Sequence, residues 1–201
     1  MRDDEREDYR NLRLIWKSLV QHPMESVAKN DYTKMSIIRD KVGLANLRVY
    51  DGEDSIDFIF DTGANFSTAT ESVAGKLNMV IMDSLFDVTA ITGGKVKSRV
   101  AVCPEINIGN IKVANVVFLI FPDSMLNVPQ IQYQINGIIG FPVMEAMREI
   151  QITRNDEFII PQQTGNYQPQ NMALDFLTPV ININGESYTF DTGATSTMLY
   201  E

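Results

Sequence analysis

The pentapeptide FDTGA occupies positions 60–64 and recurs letter for letter at positions 190–194, an offset of 130 residues. With each residue type at roughly 5 to 7% usage, one Asp-Thr-Gly arises by accident in only a few per cent of chains of about this length. Two copies with the same flanking Phe and Ala are far rarer. The repeat indicates either two turns in which Asp caps a strand end or two halves of one site.

A catalytic role becomes possible if the two copies lie next to each other in the fold, because Asp61 and Asp191 then place two carboxyl groups side by side. Two adjacent negative charges are costly, so such a pair shares a proton and becomes an acid and a base at once. The ionised member can take a proton from a held water while the protonated member polarises a peptide carbonyl. We therefore predict Asp61 and Asp191 as catalytic residues that need neither metal nor cofactor.

The other letters of the repeat suit the same chemistry. Glycine permits a close backbone approach that a Cβ would forbid, and the following alanine keeps the site small. The threonine hydroxyls can bond to the backbone of the facing loop and hold the carboxylates coplanar. The predicted supports of the active loop are Thr62, Gly63, Ala64, Thr192, Gly193 and Ala194.

Around the repeat, short β-branched and aromatic runs alternate with turn residues, which predicts antiparallel hairpins. The turns fall at 51–52, 93–94, 109–110, 154–156 and 184–185. Apolar spacing predicts an amphipathic helix over Arg2–Val20 that docks through a stripe around Trp16. Shorter helices are predicted over Thr68–Leu77 and after Phe141. The predicted fold class is mainly β.

A second motif, GIIG at positions 137–140, ends 79 residues after Asp61 and precedes a short helix. With the catalytic triplet, this motif resembles the retropepsin-like and pepsin-like aspartic proteases, particularly bacterial proteins with a retropepsin-type lobe. The resemblance covers residues 42–161 and implies a closed β lobe of the acid-protease fold. It also implies that a strand beside the Asp loop supports that loop through Ile138, Ile139 and Gly140.

The resemblance implies a role for the hairpin with its turn at 93–94, which lies between these two motifs. The family places a mobile flap there, which closes over an extended peptide. The implied substrate-contacting residues are Ile91, Thr92, Gly93 and Gly94. An ordinary surface hairpin is the alternative, because glycines at a turn demand no function.

The chain divides into four predicted segments. They are an N-terminal helix and lead-in (1–41), a retropepsin-like lobe (42–161), a Gln-, Asn- and Pro-rich linker (162–171) and the beginning of a second similar lobe (172–201). Only ten residues follow Asp191. We therefore expect the second lobe to be incomplete, with unpaired strand edges and exposed apolar faces. The dyad can form in two ways, from Asp61 and Asp191 of one chain or from Asp61 and its mate in a homodimer.

Composition excludes several classes of protein. With 17 Lys+Arg against 26 Asp+Glu, the formal charge of -9 argues against a nucleic-acid partner. One cysteine and one histidine exclude an internal disulfide and leave too few ligands for a usual zinc site. No apolar run reaches the roughly 20 residues of a membrane helix. No secretion leader is visible, although the resemblance implies a periplasmic or cell-surface location.

These features together predict an aspartic endopeptidase that cleaves extended segments of peptides or unfolded proteins. Two alternatives stay open. The chain could be a peptide-binding module that keeps the cleft but does no chemistry, or a structural unit whose role is dimerisation.

Overall fold

The computed structural model describes residues 3–29, 31–50, 54–89, 95–166, 171–175 and 177–196. Its helices are α1 (Asp3–Leu19), α2 (Glu71–Lys76) and α3 (Phe141–Met147), with short 3-10 helices at Asp123–Leu126 and Pro129–Ile131. No helix in these described ranges is long and apolar enough to cross a membrane. The strands are β1 (Ser26–Lys29), β2 (Thr33–Ser36), β3 (Ile38–Arg39), β4 (Ala45–Tyr50), β5 (Ser55–Phe60), β6 (Ser67–Thr70), β7 (Val80–Thr89), β8 (Lys95–Ile108), β9 (Ile111–Phe121), β10 (Asn127–Val128), β11 (Tyr133–Gln134), β12 (Gly137–Ile139), β13 (Gln151–Ile152), β14 (Glu157–Ile160), β15 (Met172–Asp175), β16 (Thr178–Ile183) and β17 (Glu186–Thr189).

Six strands close into a ring in the order β9-β6-β12-β5-β4-β8, and β8 pairs back onto β9. Within the ring, β12 runs parallel to β5 and β6 runs parallel to β9. Strands β1, β3 and β7 add to the same sheet outside the ring. Closure pairs both sides of each ring strand, which removes free edges. The prediction of a mainly β, closed lobe is confirmed.

The main apolar core forms because strand side chains alternate between the two faces of the sheet. Phe58 and Phe60 project from β5 into this core. Phe58 packs against Phe118 with ring centroids 6.0 Å apart, and Phe60 packs edge-on against Phe158 at 5.0 Å. Such ring pairs add stability beyond the area that they bury. Cys103 is fully buried in the same core, as predicted for a small apolar residue.

Helix α1 matches its predicted bounds to within one residue at each end, but it docks through a different face. Ile15 is 4% exposed, whereas Trp16 is 59% exposed. The docking stripe predicted around Trp16 is therefore wrong by one position, which is about 100° around a helix. The helix contributes to a second, smaller apolar cluster of Ile15, Phe86, Val100 and Leu119.

Two other stretches differ from their sequence-based predictions. The helix predicted over Thr68–Leu77 begins only at Glu71, because the preceding residues form β6. Thr70 caps α2, its Oγ1 accepting a hydrogen bond from the Val73 N–H at 3.3 Å, and threonine is a favoured residue at that position. The polar lead-in before Lys41 contains strands, since β1 pairs with β9 and β2 pairs with β14. These pairings tie the lead-in to the lobe.

Three of the five predicted turns are confirmed. They join β8 to β9, β13 to β14 and β16 to β17. The last of them holds Asn184 at φ 55° and Gly185 at φ 91°, which are left-handed conformations that asparagine and glycine adopt most readily. The turns predicted at 51–52 and 93–94 lie outside the described residues.

A separate three-stranded antiparallel sheet, β15-β16-β17, leads into the second FDTGA. It meets the lobe through Leu177, which packs against the main core, and Thr178, whose Oγ1 donates to Asn65 Oδ1 at 3.3 Å. Much of its apolar surface is exposed, at Met172, Leu174, Ile183 and Phe190.

Candidate active site

The first Asp-Thr-Gly loop begins where β5 ends, and the neighbouring strand β12 holds it in place. The Asp61 N–H donates to the Ile139 carbonyl at 3.1 Å. The Phe141 N–H, just after β12, donates to the Ala64 carbonyl at 2.9 Å. The loop is therefore fixed at both ends by the chain segment that contains the GIIG motif.

Gly140 lies in close contact with this loop. A Cβ at Gly140 would lie 2.8 Å from the Ala64 oxygen, so a larger residue would push the loop away. The Gly140 N–H donates to Ser67 Oγ at 3.0 Å. One residue pair further back, Ile138 pairs in parallel with Ile59. Ser67 is a support that the sequence analysis missed, because a small polar residue at a strand start carries no distinctive signal.

The two Asp-Thr-Gly loops bind each other through reciprocal hydrogen bonds. Thr62 Oγ1 donates to the Phe190 carbonyl at 2.6 Å and accepts from the Thr192 N–H at 3.0 Å. Thr192 Oγ1 donates to the Phe60 carbonyl at 2.7 Å and accepts from the Thr62 N–H at 3.0 Å. Each hydroxyl uses both its donor and an acceptor position. The junction therefore has a local twofold pseudosymmetry.

Asp61 and Asp191 meet at this junction. The Gly63 N–H donates to Asp61 Oδ1 at 2.8 Å, and the Gly193 N–H donates to Asp191 Oδ1 at 2.8 Å. A methyl group on Gly63 would lie 2.8 Å from Asp191 Cγ, and one on Gly193 would lie closer still to Asp61 Cγ. Each glycine therefore leaves the space into which the facing carboxyl group reaches.

The two carboxyl groups sit in unequal surroundings. Asp61 is half-buried, whereas Asp191 is exposed. Burial is the main cause that raises the pKa of Asp61 to about 6, and the charge of Asp191 adds to it. The N–H groups of Gly63 and Ala64 oppose the rise by hydrogen bonding to the carboxylate. Asp61 therefore retains a proton in mildly acidic solution.

The structure brings together the predicted residues of both loops and the strand behind the first one. The predicted flap residues Ile91, Thr92, Gly93 and Gly94 lie outside the described residues. The strands that flank them, β7 and β8, pair in antiparallel register as far as Thr89 and Lys95. Within the part of the chain that the structure describes, no three His, Cys, Asp or Glu side chains gather as a metal site would require.

Comparison with known proteins agrees with this geometry. A family model for aspartyl proteases matches residues 45–143, which include Asp61 and the GIIG motif. The matched residues are therefore similar to the aspartyl proteases, which confirms the predicted resemblance to that class. The second Asp-Thr-Gly, at 191–193, lies outside the matched segment.

No curated protein matches the chain. Among solved structures, the chain is similar to a retropepsin-like aspartic protease from Rickettsia conorii, with 18% sequence identity and a TM-score of 0.45. That similarity covers 65% of this chain and 91% of the other.

Proposed function

We propose that this chain is an aspartic endopeptidase whose catalytic pair is Asp61 and Asp191 of the same chain. The observation that carries the proposal is the reciprocal hydrogen bonding of Thr62 and Thr192, which brings the two carboxyl groups to one junction. The match of residues 45–143 to the aspartyl protease family supports hydrolysis as the reaction class.

The first half of the reaction follows from where the shared proton resides. Because the pKa of Asp61 is raised to about 6, chiefly by burial, Asp61 carries the proton in mildly acidic solution. The exposed Asp191 carboxylate takes a proton from a water held between the two groups. The water oxygen bonds to the peptide carbonyl carbon while Asp61 gives its proton to the carbonyl oxygen. The product is a neutral tetrahedral diol.

The second half returns both protons. Asp191 gives its newly acquired proton to the peptide nitrogen, and the bond between carbon and nitrogen breaks. Asp61 takes back the proton of one hydroxyl as the carboxylic acid product forms. The pair ends in its starting protonation state, so this mechanism requires no metal and no cofactor.

The contacts of Asp191 support a dyad within one chain rather than between two chains. The alternative pairs Asp61 with its mate in a homodimer. Here the carboxyl group of Asp191 already fills the space next to Gly63, and the Thr62 hydroxyl is already engaged, donating to the Phe190 carbonyl and accepting from the Thr192 N–H. A second copy would have to displace these contacts.

The substrate that suits this site is an extended segment of a peptide or unfolded protein. Extended backbone can align with the strands around the dyad and be covered by a hairpin. We propose that the tip of the β7–β8 hairpin is that cover, and that its substrate-contacting residues are Ile91, Thr92, Gly93 and Gly94. Small side chains at Ala64 and Ala194 leave room for the scissile bond.

A second candidate function is a peptide-binding module without chemistry. The observation that favours it is the exposure of Asp191 and of the sheet that carries it. A water between the carboxyl groups would be less sheltered from solvent there than at a fully enclosed dyad, which weakens electrostatic catalysis.

The test is cleavage of reduced casein between pH 3 and 7 by the wild-type chain and by Asp61→Asn and Asp191→Asn. Asp31→Asn is the matched control, because it makes the same chemical change at an exposed carboxylate in the lead-in between β1 and β2. We expect wild type and the control to cleave, and both junction variants to lose about 10³-fold in kcat/KM, the range of general acid–base catalysis.

Other outcomes separate the alternatives. Binding of peptide without turnover at any pH would favour the silent module. Loss of activity in Asp61→Asn alone, with a rate that rises as the square of the chain concentration, would favour the homodimer dyad.

A further inference from the structure

One partly buried carboxyl group of the lobe plays no part in the proposed mechanism. Glu25 immediately precedes β1 and sits beside a gap along one edge of β9. That edge pairs with β1 over residues 111–114 and with β6 over residues 118–121. In the described part of the chain, residues 115–117 have no strand beside them on this edge. The Glu25 side chain enters the gap, where its carboxyl group accepts the Val117 N–H.

A second carboxyl group faces Glu25 from α3. This helix packs against both β1 and β6, and the charge of Glu145 on it acts on Glu25. Burial is the main cause that raises the pKa of Glu25 to about 7, and repulsion by Glu145 adds to it, while the Val117 N–H opposes the rise. Glu25 is therefore neutral in mildly acidic solution and ionised in mildly alkaline solution.

No positive charge in the described part of the chain compensates an ionised Glu25. Within the elements around it, β6 carries no charged residue and Glu145 is the charged residue of α3. The other charged or titratable residues nearby in sequence or structure do not act on Glu25. They are Lys29 of β1, which acts on Glu149, Lys112 of β9, which pairs with Glu105, and His22 in the connection from α1.

Both contacts of this carboxyl group lead to the first Asp-Thr-Gly loop. The residue after Val117 pairs in register with Ser67, whose hydroxyl accepts the Gly140 N–H. Helix α3 begins at Phe141, whose N–H holds the loop by donating to the Ala64 carbonyl. A shift of β9 or of α3 would therefore be passed to the backbone that supports the loop.

We propose that Glu25 is a positioning residue, whose neutral side chain holds β9 and α3 together behind the first Asp-Thr-Gly loop and whose ionisation loosens that support. Ionisation places a second negative charge beside Glu145 and pushes α3 away from β1. The catalytic consequence rests on the proposed endopeptidase function. Because a small displacement of a catalytic group slows a reaction strongly, the enzyme loses rate as Glu25 ionises, although Glu25 lies behind the loop.

The first test measures cleavage of reduced casein at pH 5.5 and pH 8. Glu25→Gln keeps the shape and the acceptor oxygen but stays neutral. Glu186→Gln is the matched control, since it makes the same change at an exposed carboxylate on β17. We expect all three enzymes to have the same kcat/KM at pH 5.5. At pH 8, Glu25→Gln should be about 10-fold faster than wild type and the control. The catalytic pair is unchanged in all three, so its own titration cancels in these ratios.

The second test does not depend on catalysis. It follows the backbone amide NMR signals of Gly140 and Phe141 from pH 5 to 8.5 in Asp61→Asn, so that Asp61 does not titrate. We expect both signals to shift with a midpoint near pH 7. Adding Glu25→Gln should abolish this titration. Adding Glu145→Gln instead should move the midpoint to lower pH, because it removes the facing negative charge.

The outcomes separate this inference from the proposed function. An amide titration that persists unchanged in Glu25→Gln, or equal rates of wild type and Glu25→Gln at pH 8, would overturn the inference and leave the endopeptidase intact. A midpoint that Glu145→Gln does not move would overturn the role of α3. Absence of cleavage by wild type beside a titration that depends on Glu25 would overturn the endopeptidase and support the coupling of Glu25 to the loop.

Discussion

The two copies of FDTGA have the same sequence and form mirrored hydrogen bonds, yet one is built into a closed lobe and the other is not. Phe60 is 1% exposed and packs in the main core, whereas Phe190 is 42% exposed at the end of a three-stranded sheet. The first loop has β12 behind it, and the described residues of the second sheet include no equivalent strand. Local sequence therefore sets the geometry of each loop, and the surrounding chain sets how well the loop is supported.

The unequal support has an electrostatic consequence. Burial acts on Asp61 more than on the exposed Asp191, and it raises the pKa of Asp61 to about 6. A symmetric pair would leave the shared proton without a preferred site. In this chain burial favours the protonated form of Asp61.

The largest contrast is expected from the matched changes Phe60→Ala and Phe190→Ala. Phe60→Ala removes a buried ring from the core and should lower the free energy of unfolding by about 3–5 kcal/mol. Phe190→Ala removes a partly exposed ring and should lower it by about 1 kcal/mol or less. Urea unfolding of both variants measures the difference. Equal losses would mean that the second loop is as well packed as the first.

Alanine at the glycines should act on catalysis through the facing carboxyl group. Gly193→Ala would press a Cβ against Asp61, and Gly63→Ala would press one against Asp191. We expect each to lower kcat/KM by about 10²-fold, because a small displacement of a catalytic group has effects of that size. Gly75→Ala is the control, since a Cβ there meets open space. A Gly193→Ala enzyme with full activity would contradict the placement of Asp61.

Loss of the Thr62 hydroxyl and loss of the Thr192 hydroxyl should destabilise the protein by similar amounts, because the two hydroxyls make equivalent hydrogen bonds. The two phenylalanine variants should differ more. Thr62→Val and Thr192→Val each remove a hydroxyl that bonds to the opposite loop and leave a backbone carbonyl without its donor. Each should destabilise the junction by about 1–3 kcal/mol. The readout is hydrogen exchange of the Thr62 and Thr192 amides. Unchanged protection in both variants would mean that the hydroxyls do not hold the loops together.

The raised pKa of Asp61 should also appear in the pH profile. Asp61 must be protonated in the proposed mechanism, so kcat/KM should fall about 10-fold per pH unit above pH 6. The same raised pKa makes the folded state hold this proton more tightly than the unfolded chain. Its stabilising contribution is therefore complete below about pH 4 and is lost as the pH rises through 6. Asp61→Asn should reduce that loss of stability, and an unchanged loss would assign it to another group such as Glu25, whose burial raises its pKa to about 7.

Much of the fold was predictable because its decisive signals are local. The FDTGA repeat, the GIIG motif and turn residues such as Asn184-Gly185 carry backbone requirements in their own sequence. The strands before Lys41 were not predictable, because a polar stretch becomes a strand only through partners such as β9 and β14, far along the chain. The docking face of α1 was mispredicted because it also depends on residues far along the chain, such as Phe86 and Leu119.

In the candidate site, too, the features set by local sequence were predictable and those set by distant parts of the chain were not. The residue types of the two loops pointed to a carboxylate pair, and their catalytic roles stay predictions. The contribution of Ser67 and the surroundings of Glu25 depend on cross-strand register and burial. Neither quantity can be read from a single sequence.

The central claim is that one chain supplies both carboxyl groups of the dyad, and the most direct test is to mix inactive variants. Asp61→Asn and Asp191→Asn are each assayed alone and then together in equal amounts, beside the single variants at the same total concentration. A dyad within one chain predicts that both variants are inactive and that the mixture remains inactive. Full activity of Asp191→Asn alone, or recovery of activity on mixing, would contradict the claim.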